Sequence, residues 1–218
     1  MRTQLRLLVV GLALAGMGLA GCSSTTPATS GAIQDDVVEQ GTVGSPAPVP
    51  SCADGGACEI GDIGPGNGIV FYVASTPFFS AAPCGSSCTY LEAQTSDSGY
   101  VPYCVGAGAN TSIPNAMGTA IGAGYQNTMS ITATSECSSG AGFTATAPNG
   151  GMQDWYLPSL SEGMALYQNQ GAVGGLEGLY WTSSQSNANQ ASYVGNTSNA
   201  NLTDQKSMDL NVRAIRAF

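Results

Sequence analysis

The chain changes character three times when its apolar and polar positions are read in order. Leu7–Ala20 is an uncharged apolar run of fourteen residues. Residues 23–51 are rich in Ser, Thr, Pro, Gly and Ala and offer little to bury, which is the composition of a tether. From residue 52 apolar positions return in short bursts between turn formers, predicting one folded domain over 52–218.

Within that domain, "IGDIGPGNG" (60–68) is dense in turn formers and leads into "IVFYVA" (69–74), which reads as a buried strand. A shorter strand is predicted at "TYLEAQ" (89–94). Residues 124–136 predict a helix burying Tyr125, Met129, Thr132 and Ala133, although its Thr and Ser residues are weak helix formers. A second helix over 160–168 places Leu160, Met164 and Tyr167 at i, i+4 and i+7 on one face. After the Gly-rich 171–175, "LYWTSS", "ASYVGNTS" and the terminal "LNVRAIRAF" read as three antiparallel strands joined by Asn-, Ser- and Gln-rich connections.

The stretch "DWYLPSLSE" (154–162) mixes carboxylates, aromatics and hydroxyls as an active-site wall would. Local chemistry accounts for it without catalysis. Pro158 biases Leu157 away from helical geometry, so the chain arrives extended. Ser159 and Glu162 then have the spacing of a capping box, in which the serine oxygen accepts an orphan amide and the glutamate reaches back to the serine amide. Trp155 and Leu157 point the same way on an extended segment and are expected to fix it to the core. A serine nucleophile here would need a base, and the chain contains no histidine.

Arg2 and Arg6 precede the apolar run, which is shorter than the roughly 20 residues of a membrane-spanning helix. The pattern predicts a secretory signal. It ends in "LAGC" (19–22) followed by "SSTT", and looks like the lipobox of bacterial lipoproteins. That likeness predicts removal of residues 1–21, lipidation of Cys22, and a tether over 22–51. Two or three acyl chains would hold the protein to a membrane stably, at about 0.8 kcal/mol per buried methylene. Ser23 stands where an inner-membrane retention signal has aspartate, so the expected address is the outer membrane or cell surface.

Charge narrows the partners. Five Lys and Arg face fourteen Asp and Glu, giving −9. Without Arg2 and Arg6, three cations (Lys206, Arg213 and Arg216) face the same fourteen acids, giving −11. Three cations cannot neutralise a run of phosphates or sulfates, which excludes electrostatic binding of nucleic acid. The lack of histidine removes the commonest general base and the commonest metal ligand.

With Cys22 assigned to lipid, six cysteines remain: Cys52, Cys58, Cys84, Cys88, Cys104 and Cys137. An even number in an exported chain predicts disulfides, with fifteen possible pairings. Spacing favours Cys52–Cys58 and Cys84–Cys88 as small loops, leaving Cys104–Cys137 as the long one. A metal site is not expected, because "CGSSC" (84–88) has three intervening residues and no dense D-x-[DN]-x-[DN] run occurs. No cofactor is implied.

"IGDIGPGNGIVFYV", "GTAIGAGYQNT" (118–128), "DWYLPSLSE", "YWTSS" (180–184) and "VRAIRAF" occur in that order over residues 60–218. In order and spacing they resemble the domain family named after the C-terminal domain of the Lcl collagen-like adhesin, a signature shared with the Fibrobacter major paralogous domain. The resemblance implies an α+β, C-type-lectin-like fold of twisted antiparallel sheets, with first and last strands paired and two flanking helices. It also implies a cell-surface or secreted module. The founding adhesin binds sulfated glycosaminoglycans. This chain lacks the collagen-like repeats and any basic patch, so that specificity is not carried over.

The function expected is therefore non-enzymatic recognition of a neutral glycan or an envelope protein, with a decorative envelope lipoprotein as the alternative. The candidate ligand-binding residues lie between the C-terminal strands: Asn187, Asn189, Tyr193, Asn196, Asn199 and Asn201. Amides donate and accept hydrogen bonds without net charge, which suits hydroxyl-rich ligands. The same residues equally serve turns. A carboxylate-based glycosidase would have to draw on Glu92, Asp154, Glu162 and Glu177, none of which sits in a recognisable motif. Arg213 and Arg216 lie three apart on a predicted strand and should face opposite sides. The inward one needs a carboxylate, with Asp154 favoured over Glu162 and Glu92.

Overall fold

Trp155, Tyr156 and Leu157 are consecutive and fully buried, and alternation along extended backbone sends them into two different cores. Trp155 and Leu157 enter one hydrophobic cluster and Tyr156 enters the other. The computed structural model describes residues 49–195 and 202–218, and among these it contains two β-sheets and four helices. The strands are β1 (Ile69–Phe78), β2 (Cys88–Ala93), β3 (Gly99–Pro102), β4 (Leu179–Gln185), β5 (Gln190–Gly195), β6 (Leu202–Gln205), β7 (Asp209–Val212) and β8 (Ile215–Ala217). The helices are α1 (Gly124–Ala133), α2 (Ala141–Ala145), α3 (Leu160–Gln168) and α4 (Gln170–Val173). One sheet has the order β1-β2-β8, the other β3-β7-β4-β5-β6.

This α+β arrangement departs from the expected one in four places. The terminal "LNVRAIRAF" is two strands in different sheets, with Arg213 and Ala214 between them. The last strand reaches the N-terminal sheet by pairing with β2, which separates it from β1. The larger sheet is mixed, because β4 and β7 run parallel where Tyr180 meets Asn211. Two short helices, α2 and α4, accompany the two that the sequence predicts.

The corner at 154–162 forms as its sequence directs. Ser159 Oγ accepts the Glu162 amide at 3.3 Å, and Glu162 Oε2 accepts the Ser159 amide at 2.7 Å. The helix that follows begins at Leu160 and ends at Gln168. Its buried face is Leu160, Glu162, Gly163 and Leu166, while Met164 and Tyr167 are half-buried. Gly163 sets that rotation, since a Cβ there would stand 3.0 Å from Thr182 Cγ2 in β4.

The buried face of α1 also differs from the expected one. It consists of Gly124, Asn127, Thr128 and Ile131, while Tyr125, Met129 and Thr132 are half-buried and Ala133 is exposed. The amide of Asn127 brackets Gly118, accepting from its N–H at 3.1 Å and donating to its C=O at 2.6 Å. Thr128 Oγ1 accepts the Leu157 amide at 3.1 Å. The helix docks through hydrogen bonds and a close glycine contact, so an apolar stripe does not mark its inner side.

Three disulfides form: Cys52–Cys58, Cys84–Cys88 and Cys104–Cys137. The last joins the segment after β3 to the segment after α1 and frames the loops described next.

Candidate functional site

At one end of the five-stranded sheet three connections meet on one side chain. Lys206 follows β6, and instead of pointing to water its side chain is completely buried. Its Nζ donates to the carbonyl oxygens of Thr111 at 2.8 Å and Ala188 at 2.9 Å, and to Gln185 Oε1 at 2.9 Å. Gly108 O lies 3.2 Å away, and the Tyr103 ring centroid 5.8 Å. The loop 105–113, the β4–β5 turn and the β6–β7 turn are thereby drawn together.

The frame beneath is stiff. Gln185, the last residue of β4, also accepts the Ile113 amide at 3.0 Å and donates to Ile113 O. The Lys206 amide donates to Asn189 O at 2.9 Å. Gly108 packs on the Cys104–Cys137 bridge so closely that a Cβ would lie 2.7 Å from both sulfurs. Burial pushes the Lys206 ammonium down to about 8. Among the described residues no carboxylate pairs with it.

The exposed side chains of these connections include Asn110, Thr111, Ser112, Ser186, Asn187 and Asn189, which are neutral and able to hydrogen-bond, beside the exposed apolar Val105 and Met208. Of the predicted binding residues, Asn187 and Asn189 therefore stand on the rim. Asn187 is engaged within its own turn, its Oδ1 accepting the amides of Asn189 at 2.9 Å and Gln190 at 3.0 Å. Tyr193 is half-buried, edge-on to Trp181 at 6.5 Å. Trp181 itself is fully buried and donates to Val101 O at 3.1 Å, which makes it a core residue. Asn196, Asn199 and Asn201, like Cys22 and residues 23–48 of the tether, lie outside the described residues.

The carboxylates hold structure in place. Glu92 is fully buried, accepts the amides of Gly66 and Gly68, and meets Arg216 Nη1 at 2.9 Å. Asp154 meets Arg216 Nε at 2.7 Å. Glu162 is buried in its capping box, where it also accepts the Gly122 amide at 2.8 Å, and desolvation pushes its carboxyl up to about 7. Glu177 is exposed. The fully buried arginine is Arg213, and its partner is Asp97 at 2.8 Å, a residue absent from the expected set. Because the chain passes from one sheet to the other between them, Arg213 and Arg216 do not share a strand to face opposite sides of.

All three cations of the domain are thus engaged internally. Sequence patterns missed Lys206, Gln185, Asp97 and Asn127, whose polar character predicts a surface position. One signal was available for Lys206: it is the single lysine in a chain of net charge −9. Elsewhere, Ser51, Cys52, Ala53, Ala57, Asp62 and Ile63 line an open depression of ≈ 520 Å³ that offers no aromatic platform.

No protein-family model matches the chain, and no curated protein matches it.

Proposed function

We propose that this protein is a lipid-anchored, surface-displayed recognition module without catalytic activity, carrying its domain on a tether from a lipidated Cys22. The C-type-lectin-like reading and the resemblance to the Lcl C-terminal domain belong to this proposal. They draw support from the two-sheet α+β arrangement, in which the last strand returns to the N-terminal sheet. The observation that carries the function is the neutral rim of amides and hydroxyls gathered over the buried Lys206. Such a surface suits a neutral, hydroxyl-rich ligand, a glycan or a polar patch of an envelope protein. It disfavours polyanions, because every cation of the domain is engaged internally.

A second reading, a decorative envelope lipoprotein, is favoured by one observation: the side chain of Asn187 already serves its turn. A neutral-glycan array together with an envelope-protein pull-down separates the two. Binding that is lost when rim residues are substituted supports recognition. Silence on both supports decoration, and hydrolysis of an offered glycan overturns the non-enzymatic part.

A further inference from the structure

The surroundings of Lys206 Nζ have the chemistry of an ion site. Four oxygens converge on it from two separate stretches of chain, 108–111 and 185–188: Gly108 O, Thr111 O, Ala188 O and Gln185 Oε1, at 2.8–3.2 Å. All four are neutral. Divalent hard cations are bound with the help of carboxylates, whereas rings of neutral carbonyls replace the hydration shell of potassium-sized ions. An ammonium has three N–H groups for these four oxygens, so its positive charge, and not only its hydrogen count, balances their dipoles. With the amine removed, inward-pointing carbonyls would be left buried and unpartnered, an arrangement folded proteins avoid.

We infer that the four-oxygen cage is a monovalent-cation site which the chain fills with its own ammonium, and that this tethered cation sets the three loops in place. The inference concerns the cage alone and holds whether or not the rim above it binds a ligand. It explains why a strongly acidic chain pairs its single lysine with no carboxylate among the described residues. The order of the loops then becomes independent of the ions outside, because the cation is covalently supplied.

The test uses the full chain carrying Lys206→Ala, prepared in choline chloride and then given ammonium or potassium chloride, with calcium chloride as comparison. Amide hydrogen exchange is read in 105–113 and 186–190, with β4 as the internal control. Without a small cation, exchange in both loops should quicken by about tenfold or more while β4 stays protected. Ammonium or potassium should restore protection, calcium should not, and the unsubstituted protein should respond to none of them. Loops that keep their protection in choline overturn the inference. So does a loss that no salt repairs, or one that all salts repair alike. If Lys206→Ala folds only in ammonium or potassium, that supports it. If the variant folds in no salt, the unsubstituted protein decides: with its lysine side chain labelled with nitrogen-15, a caged ammonium shows slowly exchanging Nζ protons at neutral pH. Nζ protons that exchange as fast as those of a free amine overturn the site.

Discussion

The backbone amide of Gly66 donates to both carboxylate oxygens of Glu92, at 3.0 Å and 3.1 Å. The turn-rich stretch 60–68 is shaped around that buried carboxylate. A Cβ at Gly66 would stand 2.8 Å from Glu92 Oε1 and 2.8 Å from Trp155 Cζ2, and at Gly64 it would stand 2.6 Å from Glu92 Oε2. Neither neighbour is free to move, since Glu92 is paired with Arg216 and Trp155 is fully buried. Gly66→Ala should therefore destabilise by about 2–3 kcal/mol through overpacking. Glu92→Ala should destabilise more, about 3–5 kcal/mol, because it removes the buried carboxylate partner of Arg216, leaving only Asp154, and strands the amides of Gly66 and Gly68. Denaturant unfolding of both variants checks the order.

The two arginine pairs should respond unequally. Arg213 is fully buried and holds Asp97, Gln94 O and Gly175 O, so it ties three segments together. Asp97→Ala leaves its charge without a counter-ion and should destabilise by about 2–3 kcal/mol. Arg216 is less buried and keeps Glu92 when Asp154 is lost. Asp154→Ala should destabilise by only about 1 kcal/mol. A thermal melt in which Asp154→Ala is the more damaging substitution would contradict this order.

Features set by local chemistry were readable in advance. The capping box needs only Ser159 and Glu162 at the right spacing, and α3 spans the residues its sequence predicts. The three disulfide pairings follow loop length. What depended on distant partners was hidden. Asn127 and Thr128 turn α1 inward because Gly118 and Leu157 offer them hydrogen bonds, and no periodicity records that. The run from Leu210 to Phe218 has uninterrupted strand character, so nothing local marks its passage from one sheet to the other between Val212 and Ile215. The cage at Lys206 needs oxygens contributed by residues 108, 111, 185 and 188. Only the folded chain brings these together.

Glu162 should give the domain a pH-dependent stability near neutrality. Its carboxyl is raised from 4.5 to about 7, chiefly by desolvation. Between those values the folded state holds a proton that the unfolded state has released, so stability from this group falls as pH rises through that window and is flat outside it. The full effect is about 3 kcal/mol. Glu162→Gln should remove the slope, which denaturant midpoints measured from pH 4 to 8 would reveal.

Loop length ranks the disulfides. Cys104–Cys137 spans 33 residues, against 6 and 4 for the other two. Restricting the unfolded chain over the longer loop is worth about 3–4 kcal/mol, and over the short ones about 2 kcal/mol. The paired change Cys104→Ser with Cys137→Ser should therefore lower the melting temperature most. It should also loosen the frame under Gly108, which packs on those two sulfurs.

Asn187 and Asn189 stand two residues apart on the rim and should separate turn from recognition. Asn187 Oδ1 accepts two amides of its own turn, so Asn187→Ala should destabilise by about 1 kcal/mol whatever the rim binds. The side chain of Asn189 is exposed, and the backbone oxygen that accepts Lys206 survives substitution. Asn189→Ala should therefore leave stability within about 0.5 kcal/mol of the original. If the rim recognises a neutral ligand, the same substitution should weaken binding by roughly 5-fold or more, the worth of about one hydrogen bond. Binding measured alongside the melts decides: stability kept and affinity lost in Asn189→Ala places recognition on this rim, whereas full affinity in a destabilised Asn187→Ala and in Asn189→Ala removes it from there.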